Sequence, residues 1–160
     1  KAYKNPPEGD ISVEGVTGTA MLIDRDKLKL INDWDTKIFN YFEDMDLCLR
    51  FRLKGFEIIK IRDAEVDHDA FSSHDYSFAK EMDFSRNWHY SWSRIYFLKK
   101  HVSLITALKY GFTLMISSFF KSIFYFFFKR SKSITHFAKA YGALFSILNL
   151  KPNYRPRIKL

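Results

Sequence analysis

No acidic residue follows Asp83. Residues 85 to 160 hold 14 Lys and Arg and therefore a net charge of +14, together with 18 of the 29 aromatic residues. Residues 1 to 84 hold 12 Lys and Arg against all 18 Asp and Glu, a net −6. A surface as basic as the second half attracts polyanions, either anionic lipid headgroups or nucleic-acid phosphates. Apolar runs such as FYFFF at residues 124 to 128 decide between them, because a solvated nucleic-acid face does not tolerate them, whereas cations interleaved with Trp, Phe and Leu are the composition of interfacial helices. The sequence therefore predicts a membrane surface as partner, and no nucleic acid.

A chain of 160 residues, 47% apolar and 28% charged, can bury one core, so one domain with an appendage is expected. Cys48 is the single cysteine, which excludes an internal disulfide. The opening KAYKNPPEGD has neither the basic nor the apolar region of a signal peptide and reads as starting in mid-protein.

In the first half, short apolar runs alternate with helical periodicity, the pattern of an α/β domain. ISVEGVTGTAMLI gives two apolar runs broken at Gly15 and Gly18, the second read as a buried strand ending at Asp24. Residues 25 to 31 make one or two helical turns. Residues 43 to 54 read as a helix with carboxylates in its first turn, Arg50, Arg52 and Lys54 toward its end, and Gly55 as the C-terminal cap. FEIIKI and AEV then have strand character. From Tyr76 the pattern is helical throughout. Between Leu104 and Phe128, Lys109, Thr113, Ser117, Lys121 and Tyr125 recur every four residues, with Phe112, Ile116, Phe119, Ile123 and Phe126 on the opposite face. Lys121 within the run favours a helix lying in the interface over one that spans it. A shorter helix is expected over residues 134 to 148, and Pro152 and Pro156 make the end a non-helical tail.

Glu43, Asp44 and Asp46 are three acids within four positions. Such a cluster is commonly no more than a helix N-terminus satisfied by negative charge. Here it lies between the aromatic run IFNYF and an apolar helix face, where a carboxylate at a cleft edge can take a proton from an attacking hydroxyl.

The run WDTKIFNYFEDMDLCLRFRLKGFEI, preceded by GTAMLIDR and followed by a segment ending in His68, resembles the second half of bacterial family 2 glycosyltransferases of the rhamnosyltransferase-like group. The resemblance covers residues 14 to 100. It implies an α/β fold, the C-terminal portion of a Rossmann-like GT-A domain, with residues 1 to 75 as its acceptor-side half and residues 76 to 160 as a helical, basic, membrane-associating region. The implied reaction is inverting transfer of a hexose from a nucleotide-sugar, dTDP-rhamnose being one candidate, to a lipid-linked or glycan acceptor at the cytoplasmic face of the bacterial inner membrane. Asp44 is then the general base and Glu43 its orienting partner. Trp34, Asp35, Gly18 and Thr19 bind substrate, and His68 ligates a divalent cation, Mg2+ or Mn2+, whose main Asp ligands are expected upstream of residue 1. On this reading residues 1 to 160 alone do not bind donor and are inactive. The rival readings are a non-catalytic membrane-surface module, in which the acids are purely structural, and a nucleic-acid-binding half.

Overall fold

The computed structural model describes residues 9 to 67 and 78 to 156. The elements in order are β1 (Ile11–Ser12), α1 (Arg25–Leu30), α2 (Glu43–Leu53), β2 (Ile59–Lys60), α3 (Ala79–His101), α4 (Leu104–Phe128) and α5 (Arg130–Ile147). Residues 9 to 35 with 43 to 67 form one compact unit, and residues 36 to 42 with 78 to 156 form a second.

The α/β expectation, including a Rossmann-like GT-A portion, is overturned: 61% of the described residues are helical and 3% are in strands. A sheet needs neighbours that accept and donate ladder bonds. Among the described residues only β1 and β2 pair, antiparallel, with Ile11 opposite Lys60 and Ser12 opposite Ile59. The GTAMLI run finds no ladder, and its Leu22 is wholly exposed. The AEV segment is likewise exposed and unpaired in any sheet.

The first unit is held by local chain chemistry. Asp24 caps α1, its Oδ1 accepting from the backbone N–H groups of Asp26 and Lys27. At the far end the N–H of Asp33 returns to the Leu28 carbonyl and that of Asn32 to Lys29, with Asn32 left-handed at φ 61°. α2 closes in the same way. Phe56 N–H returns to Phe51, Gly55 N–H returns to Arg52, and Gly55 takes φ 83°, a conformation open to glycine because it has no Cβ. The Phe51 and Phe56 rings, 5.9 Å apart, add the hydrophobic contact that accompanies this closure.

The second unit is a three-helix bundle. Trp88, Trp92 and Ile95 recur at helical spacing on α3 and are buried, Trp88 and Trp92 with Ala138 of α5, and Ile95 with Ala107 of α4 and Ala143 of α5. α3 meets α5 closely at Gly142, where the Trp88 backbone occupies the space a side chain would need. α4 and α5, joined through the single residue Lys129, run antiparallel. Their seam is made of small residues: Ala107, Gly111 and Ser118 are buried, Gly111 lies against Ile147, and the Ser122 and Ser133 hydroxyls each donate to the other's backbone carbonyl. Helices approach closely only where side chains are this small.

α5 ends with the N–H of Leu150 on the Phe145 carbonyl and Asn149 left-handed at φ 56°, which turns the tail back over α3. There Trp92 Nε1 donates to the Leu150 carbonyl at 2.9 Å, His89 Nε2 lies 3.0 Å from the Tyr154 carbonyl, and Lys99 Nζ donates to the Ser146 carbonyl and to Asn149 Oδ1. Segment 36 to 42 is fixed to the same helix by Ser93 Oγ, which donates to the Asn40 carbonyl at 2.8 Å.

Candidate functional site at the start of α2

Glu43 and Asp44 open α2, so their side chains stand beside backbone N–H groups that no helical carbonyl satisfies. The two residues before them, Tyr41 and Phe42, have φ of 64° and 68°. Bulky side chains in the left-handed region cost on the order of 1–3 kcal/mol each, a strain that persists only where surrounding structure holds it.

Asp44 is half-buried. Its Oδ1 accepts from the Met45 N–H at 2.7 Å and its Oδ2 from the Gly18 N–H at 3.0 Å. The second bond brings together two residues 26 positions apart, both singled out in the sequence. None of the ion pairs among the described residues involves Asp44. Each carboxylate oxygen has a second lone pair, so both bonds leave Asp44 able to accept a proton. A Cβ added at Gly18 would stand 3.7 Å from Asp44 Cβ, ordinary contact, so it is the N–H of residue 18, not the lack of a side chain, that holds the acid.

Glu43 differs in character. Its Oε2 is buried without a hydrogen-bond partner. Burial raises its carboxyl above the ordinary value; its own backbone N–H opposes this in part, and the neighbouring Asp44 charge adds to it. Glu43 thus holds its proton more firmly than a solvated glutamate.

The third acid has a structural task. Asp46 is fully buried and accepts from Arg50 Nε at 2.8 Å, one turn along α2. Arg50 Nη1 then donates to the carbonyls of Ile31 at 2.6 Å and Asp33 at 2.7 Å, so the α1 turn hangs from the guanidinium. Asp46 is expected from the sequence to cap or pair within its own helix, and the i, i+4 spacing makes Arg50 its partner.

Thr19 is exposed, its hydroxyl 3.4 Å from that of Thr17. Trp34 is 39% exposed, and Asp35 is half-buried. His68 lies outside the described residues, so the metal assignment gains nothing here, and among the described residues no three of His, Cys, Asp and Glu converge as a cation site.

Comparison with known proteins adds no family: no protein-family model, no curated protein and no solved structure matches the chain.

Proposed function

We propose that this chain is the acceptor-side part of an inverting hexosyltransferase that works against a membrane, with Asp44 as its general base. One observation carries the reading. The Gly18 N–H on Asp44 Oδ2, 3.0 Å long, ties GTAMLIDR to NYFEDMDLCLR, the two stretches on which the resemblance to family 2 glycosyltransferases rests.

In the proposed step, the acceptor hydroxyl gives its proton to Asp44. Its oxygen forms a bond to the anomeric carbon of the nucleotide-sugar from the face opposite the leaving group. The anomeric C–O bond breaks, and its electron pair departs with the nucleoside diphosphate. Two backbone donors fix the Asp44 carboxylate, so little reorganisation precedes the transfer. Glu43, whose carboxyl pKa is raised chiefly by burial, is assigned to orient Asp44 or the acceptor. No part of the step is assigned to a cation. The donor site is assigned to protein outside this chain, and the acceptor, lipid-linked or glycan, is held at the cytoplasmic membrane face by the basic helices.

The test is to incubate membranes from cells carrying the full gene with a panel of nucleotide-sugars and read acceptor-dependent release of nucleoside diphosphate, with the anomeric configuration of the product taken by NMR. Inverted product from one donor supports the reading; turnover of none contradicts it. The second reading, a membrane module without chemistry, is favoured by the exposed apolar side of α4 and predicts that second outcome.

A further inference from the structure

The sequence places Phe112, Ile116, Phe119, Ile123 and Phe126 on the apolar face of α4, the face expected to meet the membrane interface. In the bundle α4 packs through the small-residue seam, and these five side chains all remain exposed, as do Phe120 and Phe127 at 63% and 75%. The exposed stripe runs the length of a 25-residue helix that is long and apolar enough to cross a membrane, and 17% of its most apolar window is buried. It continues across the seam onto Phe137 of α5. Between the two helices lies an open groove of about 240 Å³, lined mainly by Phe119, Ile123, Phe126, Phe127 and Phe137.

A patch this large on one side of a folded unit marks a surface that meets something apolar. Charge selects what. The unit carries no carboxylate after Asp83, and Lys121, Lys129, Arg130, Lys132 and Lys139 all lie on the same hairpin. A second copy of so basic a surface would be repelled, and an anionic bilayer is attracted. Spanning is disfavoured by the partner helix. α5 lies antiparallel beside α4 through Ser122 and Ser133, so an α4 crossing the hydrocarbon would draw Lys132, His136 and Lys139 to the same depth.

We infer that the α4–α5 hairpin lies flat in one leaflet of a bilayer containing anionic phospholipid, with the α4 phenylalanine stripe among the acyl chains and an acyl chain in the groove beside Ser122 and Ser133. This rests on the reading above for the membrane and on none of its chemistry. Lysine stems reach from the hairpin to the phosphate level while their ammonium groups stay solvated.

The experiment is flotation of the 160-residue chain with vesicles of phosphatidylcholine alone or with phosphatidylglycerol, followed by alkaline carbonate extraction. The inference predicts at least about tenfold tighter binding to the anionic vesicles, loss of that preference at high salt, and release by carbonate. Phe120→Ser with Phe127→Ser, two exposed positions whose replacement should leave the helical circular dichroism spectrum unchanged, should weaken binding at least about tenfold. Equal binding of that variant and the parent, equal binding to neutral vesicles, retention after carbonate, or association with duplex DNA in place of vesicles each overturns it. Asp44→Asn should float as the parent does, so failure of the chemistry and failure of the docking surface are read separately.

Discussion

Gly142 of α5 lies so close to Trp88 of α3 that a Cβ at position 142 would stand 2.2 Å from the Trp88 carbonyl oxygen. The obstacle is backbone, which cannot swing aside as a side-chain end can. Gly142→Ala should therefore force α3 and α5 apart and cost about 3 kcal/mol, although alanine is the better helix former by about 1 kcal/mol. Thermal unfolding followed by far-ultraviolet circular dichroism checks it; an unchanged or raised Tm would show that the two helices are not this close.

The Asp46–Arg50 pair gives a second prediction. Arg50→Ala leaves a buried carboxylate without its cation and releases the carbonyls of Ile31 and Asp33, so urea unfolding should show a loss of about 3–5 kcal/mol. Arg52→Ala breaks an exposed pair with Glu14 and should change stability by no more than about 0.5 kcal/mol. Equal effects of the two would mean that Arg50 does not carry the α1 turn.

How far all this was legible in the sequence depends on the kind of signal. α1, α2, α4 and the tail were, because caps and periodicity are local: Gly55 closes α2, and Pro152 and Pro156 keep the end out of a helix. The sheet was misjudged because strand formation depends on partners distant in sequence, and the GTAMLI run has none in the structure. The amphipathic reading of α4 found its two faces but not the one that packs, since Ala107, Gly111 and Ser118 register weakly on any scale of hydrophobicity while fitting closely against α5. At the site, Glu43 and Asp44 were legible as an acid pair. Gly18 was marked only by the resemblance, as a substrate-binding residue and not as a partner of Asp44, and the burial of His89 by nothing local.

His89 makes the helical unit sensitive to acid. Burial lowers its pKa below the ordinary 6.5, the Tyr154 carbonyl opposes that, and Arg155 adds to it. His136 is lowered too, by burial first and then by Lys139, Lys121 and Lys132. A depressed folded-state pKa means that the unfolded chain binds the proton more readily, so the stabilisation is full above about pH 6.5 and is lost as pH falls through the folded-state values. Tm measured from about pH 8 down to about pH 5 should fall below about pH 6.5, and less steeply in His89→Gln. A Tm that rises on acidification contradicts the assignment.

Glu43 has the opposite sign. Its raised carboxyl pKa favours the folded state below the ordinary value of 4.5 and disfavours it as pH rises through the folded-state value. Glu43→Gln should therefore stabilise the chain at pH 7, by no more than about 1 kcal/mol once solvent screening is allowed for, and give no gain below about pH 4. Urea midpoints at the two pH values decide it; a loss of stability at pH 7 would show that the carboxylate is paired.

The proposal as a whole rests on a proton passing to Asp44. In the full-length protein, the rate constant for a single turnover of sugar transfer should fall by at least 100-fold in Asp44→Asn, with donor affinity unchanged and the fold intact. A rate within about tenfold of the parent would contradict the assignment of Asp44 as the base.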